Sequence, residues 1–349
     1  KLETTSSGID VTGTVVADGI TNAGGFSTIT GSTGASNQAS INSGTTTGEN
    51  LYVANTHTFL NGAGSTQLTL SGTDSTFAGK INGVGILADT TNFVDSILIS
   101  QDAGTGTLSS ASNNTGLGNE VFNALTSGTA NTAVGNLAGT AITTGRRNVA
   151  IGAESLESNT TGENNTAVGQ EALEANTTAS NNTAVGRQAL TANTTGAQNV
   201  AVGAASLDAN TTASNNTAIG YNSLTATTTG ANNVGIGSGA LVSNTTGGNN
   251  VAVGYLALDA NTTADFNTAL GTAALGANTT GASNVAVGRN ALTANTTSSY
   301  NTAVGAEALD TNTTGGNQTG IGYAALFANT TGTNNTAVGK SAAQSNTEG

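Results

Sequence analysis

Asn182-Thr-Ala-Val-Gly-Arg-Gln-Ala-Leu-Thr-Ala-Asn-Thr-Thr-Gly196 is the stretch on which the fold turns. Its central glycine, Gly186, has counterparts 17 residues away on both sides, at Gly169 and Gly203. The spacing holds without a slip from Gly118 to Gly339. A fixed period in this range marks stacked repeats, in which each unit buries its apolar side chains only against its neighbours. Residues 114–349 therefore read as 14 coils of 17 residues, and residues 1–113, which lack the period, as an irregular β-rich segment with an N-terminal cap.

Positions are counted from the repeat glycine as zero. Position −4 is Asn in 13 of the 14 copies, the exception being Gln318. Position −3 is Thr or Val, −2 is Ala or Gly, −1 is Val, Ile or Leu, and +4 is Leu from Leu156 through Leu326. Position +7 is mostly Asn and +8 is always Thr. Side chains alternate along a strand, so −3 and −1 share one face and −4 and −2 the other. The expectation is that the −1 aliphatic meets the +4 leucine inside the coil, with −2 on the opposite face. The glycine ends the strand and allows a sharp bend. The segment that follows, such as Gln170-Glu-Ala-Leu-Glu-Ala175, is rich in helix formers. It is short enough to make a single helical turn or a second strand, and its composition favours the turn. Stacked asparagines can form ladders of side-chain amides. The fold class is then mainly all-β, a parallel β-roll or β-solenoid with a short helical turn in each coil.

Charge placement fits an interior. In the regular coils acids occupy +2, +5 and +11, and Arg187, Arg289 and Lys340 occupy +1, whereas −3 to −1, +3 and +4 carry none. Burial of unpaired charge is costly, which marks the charge-free positions as inner ones. The chain as a whole is 8% charged with a net charge of −13, which disfavours nucleic acid as a partner. It has no cysteine, so disulfides and thiolate metal sites are excluded. No apolar run reaches the length of a membrane span. Within residues 1–113, short β-segments are read at Ile9, Val11, Val15 and Val16, at 26–29, at 51–60 and at 67–70. The apolar run Ile97-Leu-Ile99 is expected to seal the first coil.

Motifs for chemistry are weak. The lone histidine, His57, has no second His or Cys to share a metal or a proton with. Gly339-Lys-Ser341 lacks the first glycine of a phosphate loop, since Asn334 stands there. The many Asn-x-Thr triplets match the glycosylation sequon through the repeat itself. No catalytic, cofactor-binding or metal site is expected, and no cofactor. One pattern remains: position +1 is bulky in alternate coils, at Arg187, Tyr221, Tyr255, Arg289 and Tyr323, with small residues between. Neighbouring coils lie about 4.8 Å apart, so alternation relieves crowding. The same stripe of Tyr and Arg is suited to stacking on sugars or on a protein surface.

The copies quoted above resemble the repeats of phage tail-fibre proteins. They are more distantly similar to the head β-rolls of trimeric autotransporter adhesins of the YadA kind, whose Asn-Ser-Val-Ala-Ile-Gly unit recurs with a shorter period. The opening Lys1-Leu-Glu-Thr-Thr-Ser-Ser-Gly-Ile-Asp-Val-Thr-Gly-Thr14 looks like fibre-shaft segments. The resemblance implies a parallel homotrimeric fibre in the virion that attaches to a host cell-surface glycan or protein and joins other tail or fibre proteins. A bacterial surface adhesin or extracellular filament is the alternative, and an ice-binding solenoid a third class. The uniformly small −2 position, on the face opposite the presumed core, is expected to admit a neighbouring chain closely along the fibre.

Overall fold

The computed structural model describes residues 2–5, 8–11, 80–81, 84–100 and 105–348. The readings at Val15, Val16, 26–29, 51–60, 67–70 and His57 lie outside these residues. Two compact units are distinguished, Lys1–Ser75 and Thr76–Gly349. In the first, β1 (Leu2–Thr5) and β2 (Gly8–Val11) form an antiparallel hairpin.

The second unit is a β-solenoid with no helix among its described residues. Three strands open it: β3 (Lys80–Ile81), β4 (Val84–Thr90) and β5 (Phe93–Ser100), paired antiparallel in that order. β6 (Ala111–Ser112) and β7 (Thr115–Leu117) both pair in parallel with β5. From β7 onward each period contributes one three-residue strand, through β13 (Thr217–Ile219) to β20 (Thr336–Val338). Each strand pairs in parallel with the next, at a register of one period; Thr166, Ala167 and Val168 face Thr183, Ala184 and Val185. At one coil per period and about 4.8 Å per coil, the 14 coils extend roughly 65 Å. The expected cap is present: Leu98 is fully buried beside Phe93, Val121 and Phe122, and Ile97, Leu98 and Ile99 pair with Thr115, Gly116 and Leu117.

The two faces of the strand are reversed from the expectation. The −2 alanines, Ala133, Ala150, Ala167 and their successors, are buried, and so are the −4 asparagines. The −3 and −1 residues point outward and are half-buried to exposed, with Ile219 at 39% and Leu270 at 47%. The coil is too narrow to accept both a valine and a leucine. At Gly235, a −2 position, an added Cβ would stand 3.2 Å from the Leu224 side chain. Small residues at −2 thus make room for the +4 leucine of the preceding coil of the same chain. The uniformity of −2 is explained without a second chain.

The expected helical turn is absent as well. Residues +2 and +4 adopt left-handed conformations, as in Glu171 (φ 58°) and Leu173 (φ 53°). A helix would bond the Leu173 N–H within its own segment. Here that N–H donates to Ala189 of the next coil at 3.0 Å, and the Glu171 N–H donates to Ala153 of the preceding one at 2.9 Å. Left-handed non-glycine residues cost about 1–2 kcal/mol each, and the coil-to-coil bonds offset this. The repeat glycine is required on two counts. Gly186 has φ 139°, and a Cβ there would lie 2.5 Å from the carbonyl oxygen of Gly203.

Two asparagine ladders run through the interior, the one at +7 starting at Asn159 and interrupted by Thr227. At −4, the Asn165 Oδ1 accepts the backbone N–H of Asn182 at 3.0 Å, while its Nδ2 donates to the Ala179 carbonyl at 2.8 Å. At +7, the Asn176 Nδ2 donates to Asn159 Oδ1 at 2.8 Å and to the same Ala179 carbonyl at 3.1 Å. Buried amides are retained because most are satisfied by the coils above and below; the exceptions include Asn210 Oδ1, which faces Thr227 in the next coil, and both side-chain atoms of Asn329. The asparagines at +7 in the Asn-Thr-Thr triplets, such as Asn176, are buried. The +8 threonines are likewise engaged, as Thr177 Oγ1 donates to the Thr194 carbonyl at 3.2 Å.

Candidate functional site

The outward face of the sheet is the feature that burial does not explain. It consists of the −3 and −1 columns, bordered along the chain by −5 on one side and +1 on the other. It is exposed, yet no charge occurs at −3 or −1 in any of the 14 coils. A strand face turned to water ordinarily carries Lys, Glu or other charged residues. An exposed column of Val, Ile and Leu at −1 beside Thr and Val at −3 is the kind of surface that marks a contact.

The columns that border the face carry charge of one sign only. Of the five bases in residues 114–349, Arg147 lies at −5 and Arg187, Arg289 and Lys340 at +1. The acids of the same coils all lie elsewhere, at +2, +5, +9 or +11. In a chain of net charge −13, this segregation leaves the sheet face and its two border columns free of carboxylates.

All five residues of the +1 stripe, Arg187, Tyr221, Tyr255, Arg289 and Tyr323, are exposed. Tyr221, Tyr255 and Tyr323 keep 61%, 57% and 49% of their surface accessible. Arg289 is ion-paired with Glu307 of the following coil, at the surface. Sequence reasoning missed two further members, Phe266 (61% exposed) and Tyr300 (67%). Both occupy −5, which is left-handed in every coil, with φ between 55° and 64°. Asparagine tolerates that conformation and fills the position in most copies, while a bulky aromatic there is an outlier. Two strained and exposed aromatics on the border of an uncharged face point to contact rather than packing. The signal was available as two aromatic exceptions in a column of asparagines.

Two polar features lie off the sheet face. A shallow cleft of about 330 Å³ is lined by Ser110, Ser127, Thr129, Thr144, Thr161 and the Arg146–Glu163 ion pair. On the +2/+5 side, carboxylate oxygens of Glu154, Glu157 and Glu174 lie within 4.8 Å of one another. Partial burial raises the carboxyl pKa of Glu157, and Glu154 and Glu120 raise it further. Glu174 is raised by burial first, then by Glu171, Glu157 and Glu154. Asp208, Asp259 and Asp310 are raised mainly by burial too. Among the described residues no helix is long and apolar enough to cross a membrane.

No protein-family model and no curated protein sequence matches this chain.

Proposed function

We propose that this protein is a structural fibre that attaches a particle to a cell surface, in the manner of a phage tail fibre. The observation that carries the proposal is the uncharged, exposed sheet face with its border of Tyr, Phe and Arg. A ladder of short strands in constant register repeats this surface from coil to coil, and a preorganised surface loses little freedom when it binds. The sheet face carries no titratable group at −3 or −1, so a contact role suits its geometry better than a catalytic one. Host cell-surface glycan or protein is the receptor in this reading, and other fibre proteins the neighbours.

Assembly as a parallel homotrimer belongs to the same proposal through the resemblance of the repeats. Position −2 no longer argues for it. Native mass measurement tests it: a species near three times 33.7 kDa is expected, and a monomer at all concentrations would overturn it. Attachment is tested by incubating labelled protein with a panel of intact bacteria. Binding to at least one strain is expected, with loss on combined Tyr221→Ala, Tyr255→Ala and Tyr323→Ala substitution at unchanged circular dichroism. Retention of full binding by that variant would sink the role given to the face.

A further inference from the structure

The five coils from Gly254 to Gly322 carry their large border residues in a zigzag. Tyr255 is at +1, Phe266 at −5, Arg289 at +1, Tyr300 at −5 and Tyr323 at +1, one per coil and on alternating sides of the strand column. Between them runs a floor of β15 (Val251–Val253) to β19 (Thr319–Ile321), which turns Val251, Leu270, Val285 and Ile321 outward. Relief of crowding accounts for alternation within one column. It does not account for a second column that fills the gaps of the first from the other side, at a position where aromatic residues are conformationally strained.

A ligand matched to this pattern must itself be extended, must advance about 4.8 Å per unit, and must present alternate sides at successive units. On either border the repeat is two coils, about 9.6 Å by the strand spacing, which is close to the length of one disaccharide in an extended β-linked polysaccharide. Successive sugars in such a chain are turned over relative to one another, so their apolar patches and substituents alternate from side to side. Aromatic rings suit the apolar faces of sugars, since one part of each is apolar and the hydroxyls stay wet. Charge adds a further condition. The face excludes carboxylates in an otherwise acidic protein, and its borders carry arginine. The planar fork of arginine is suited to a carboxylate, and the surface ion pair of Arg289 with Glu307 leaves other guanidinium donors free.

We infer that this face binds an extended, β-linked, carboxylate-bearing polysaccharide lengthwise, one sugar per coil, with Tyr255, Phe266, Tyr300 and Tyr323 contacting sugars from alternate sides and Arg289 meeting a carboxylate. The inference rests on the contact role proposed above and names its ligand.

The test is equilibrium binding of the purified chain to hyaluronan, whose backbone alternates β-linked glucuronate and N-acetylglucosamine. Neutral β-linked cellohexaose and α-linked dextran serve as controls. Binding to hyaluronan is expected, weakened by added salt, with little or none to dextran. Phe266→Asn with Tyr300→Asn restores the residue found at −5 in most other coils, so the fold is kept, and the affinity should fall by tenfold or more. Arg289→Ala should reduce hyaluronan binding and leave any cellohexaose binding unchanged. Absence of hyaluronan binding, equal binding of cellohexaose, or an unaltered affinity in the double variant would overturn the proposal. So would a change in native mass in that variant, since the face would then be a contact between copies of the chain. Failure of the two readings can be told apart. Cell attachment that survives in the double variant removes the polysaccharide site and leaves the fibre role, while hyaluronan binding without attachment to any cell does the reverse.

Discussion

Inside the coil and outside it, the same three-residue strand shows two kinds of uniformity with different causes. Inward, −4 and −2 hardly vary because the −4 amides bond to neighbouring coils and the −2 residues lie against a +4 leucine. The Asn216 N–H is bonded to Asn199 Oδ1 at 2.9 Å, and its Nδ2 to the Gly230 carbonyl at 2.9 Å. Outward, −3 and −1 change freely among Thr, Val, Ile and Leu and never admit a charge. Packing against the protein's own coils sets the first pattern, and water alone would not set the second. Uniform chemistry in a repeat is therefore a sign of constraint, and the structure is needed to say which constraint.

The contrast can be broken most forcefully from inside. Leu224→Asp places a carboxylate in a fully buried column and should cost about 4 kcal/mol or more. Thermal unfolding should show a large drop in melting temperature; the equivalent outward change, Ile219→Lys, should move it only slightly. Equal losses would mean that inside and outside remain confused.

Asn216→Leu is next in size. It leaves the Gly230 carbonyl without that donor and the Asn233 N–H, bonded to Asn216 Oδ1 at 2.8 Å, without its acceptor. Each buried group so stranded costs roughly 1–3 kcal/mol. Hydrogen exchange should rise in the adjoining coils first, because a solenoid transmits stability through neighbours. A variant that melts like the parent would show the ladder to be passive.

The smallest effect is electrostatic and lies on the acidic side. Glu157, Glu174, Asp208, Asp259 and Asp310 all have raised folded-state pKa values. The folded chain therefore binds protons more readily than the unfolded chain in the window above the ordinary carboxylate range. Stability falls as pH rises through that window and is regained on acidification. A higher melting temperature at about pH 5 than at pH 7 is expected. Glu174→Gln should raise the melting temperature at pH 7 and reduce the pH dependence. No gain in that variant would assign the effect to the other carboxylates.

Several elements were legible from the residues alone. The glycine at each seventeenth position, the one-coil register, the asparagine ladder and the cap at Ile97-Leu-Ile99 all followed from spacing and side-chain chemistry. The +1 stripe was found through its alternation, and its exposure in the fold agrees. Phe266 and Tyr300 were missed because −5 was read as turn filler rather than as a left-handed position where an aromatic is out of place. The +1 to +4 segment was misread because helix propensity describes an isolated chain. Here the donors that would close a helix are taken by adjacent coils.

That the chain stacks, with what period, and which positions are equivalent can be read from the residues, because any slip would break contacts in every coil at once. Which face of the strand is inside cannot, and it emerges from the packing of the coils. A three-residue strand has two faces, and both were free of charge. The narrow coil holds one leucine opposite one alanine, and the buried amides need partners above and below. Those two requirements turned Ala and Asn inward and left Val, Ile and Thr on the surface.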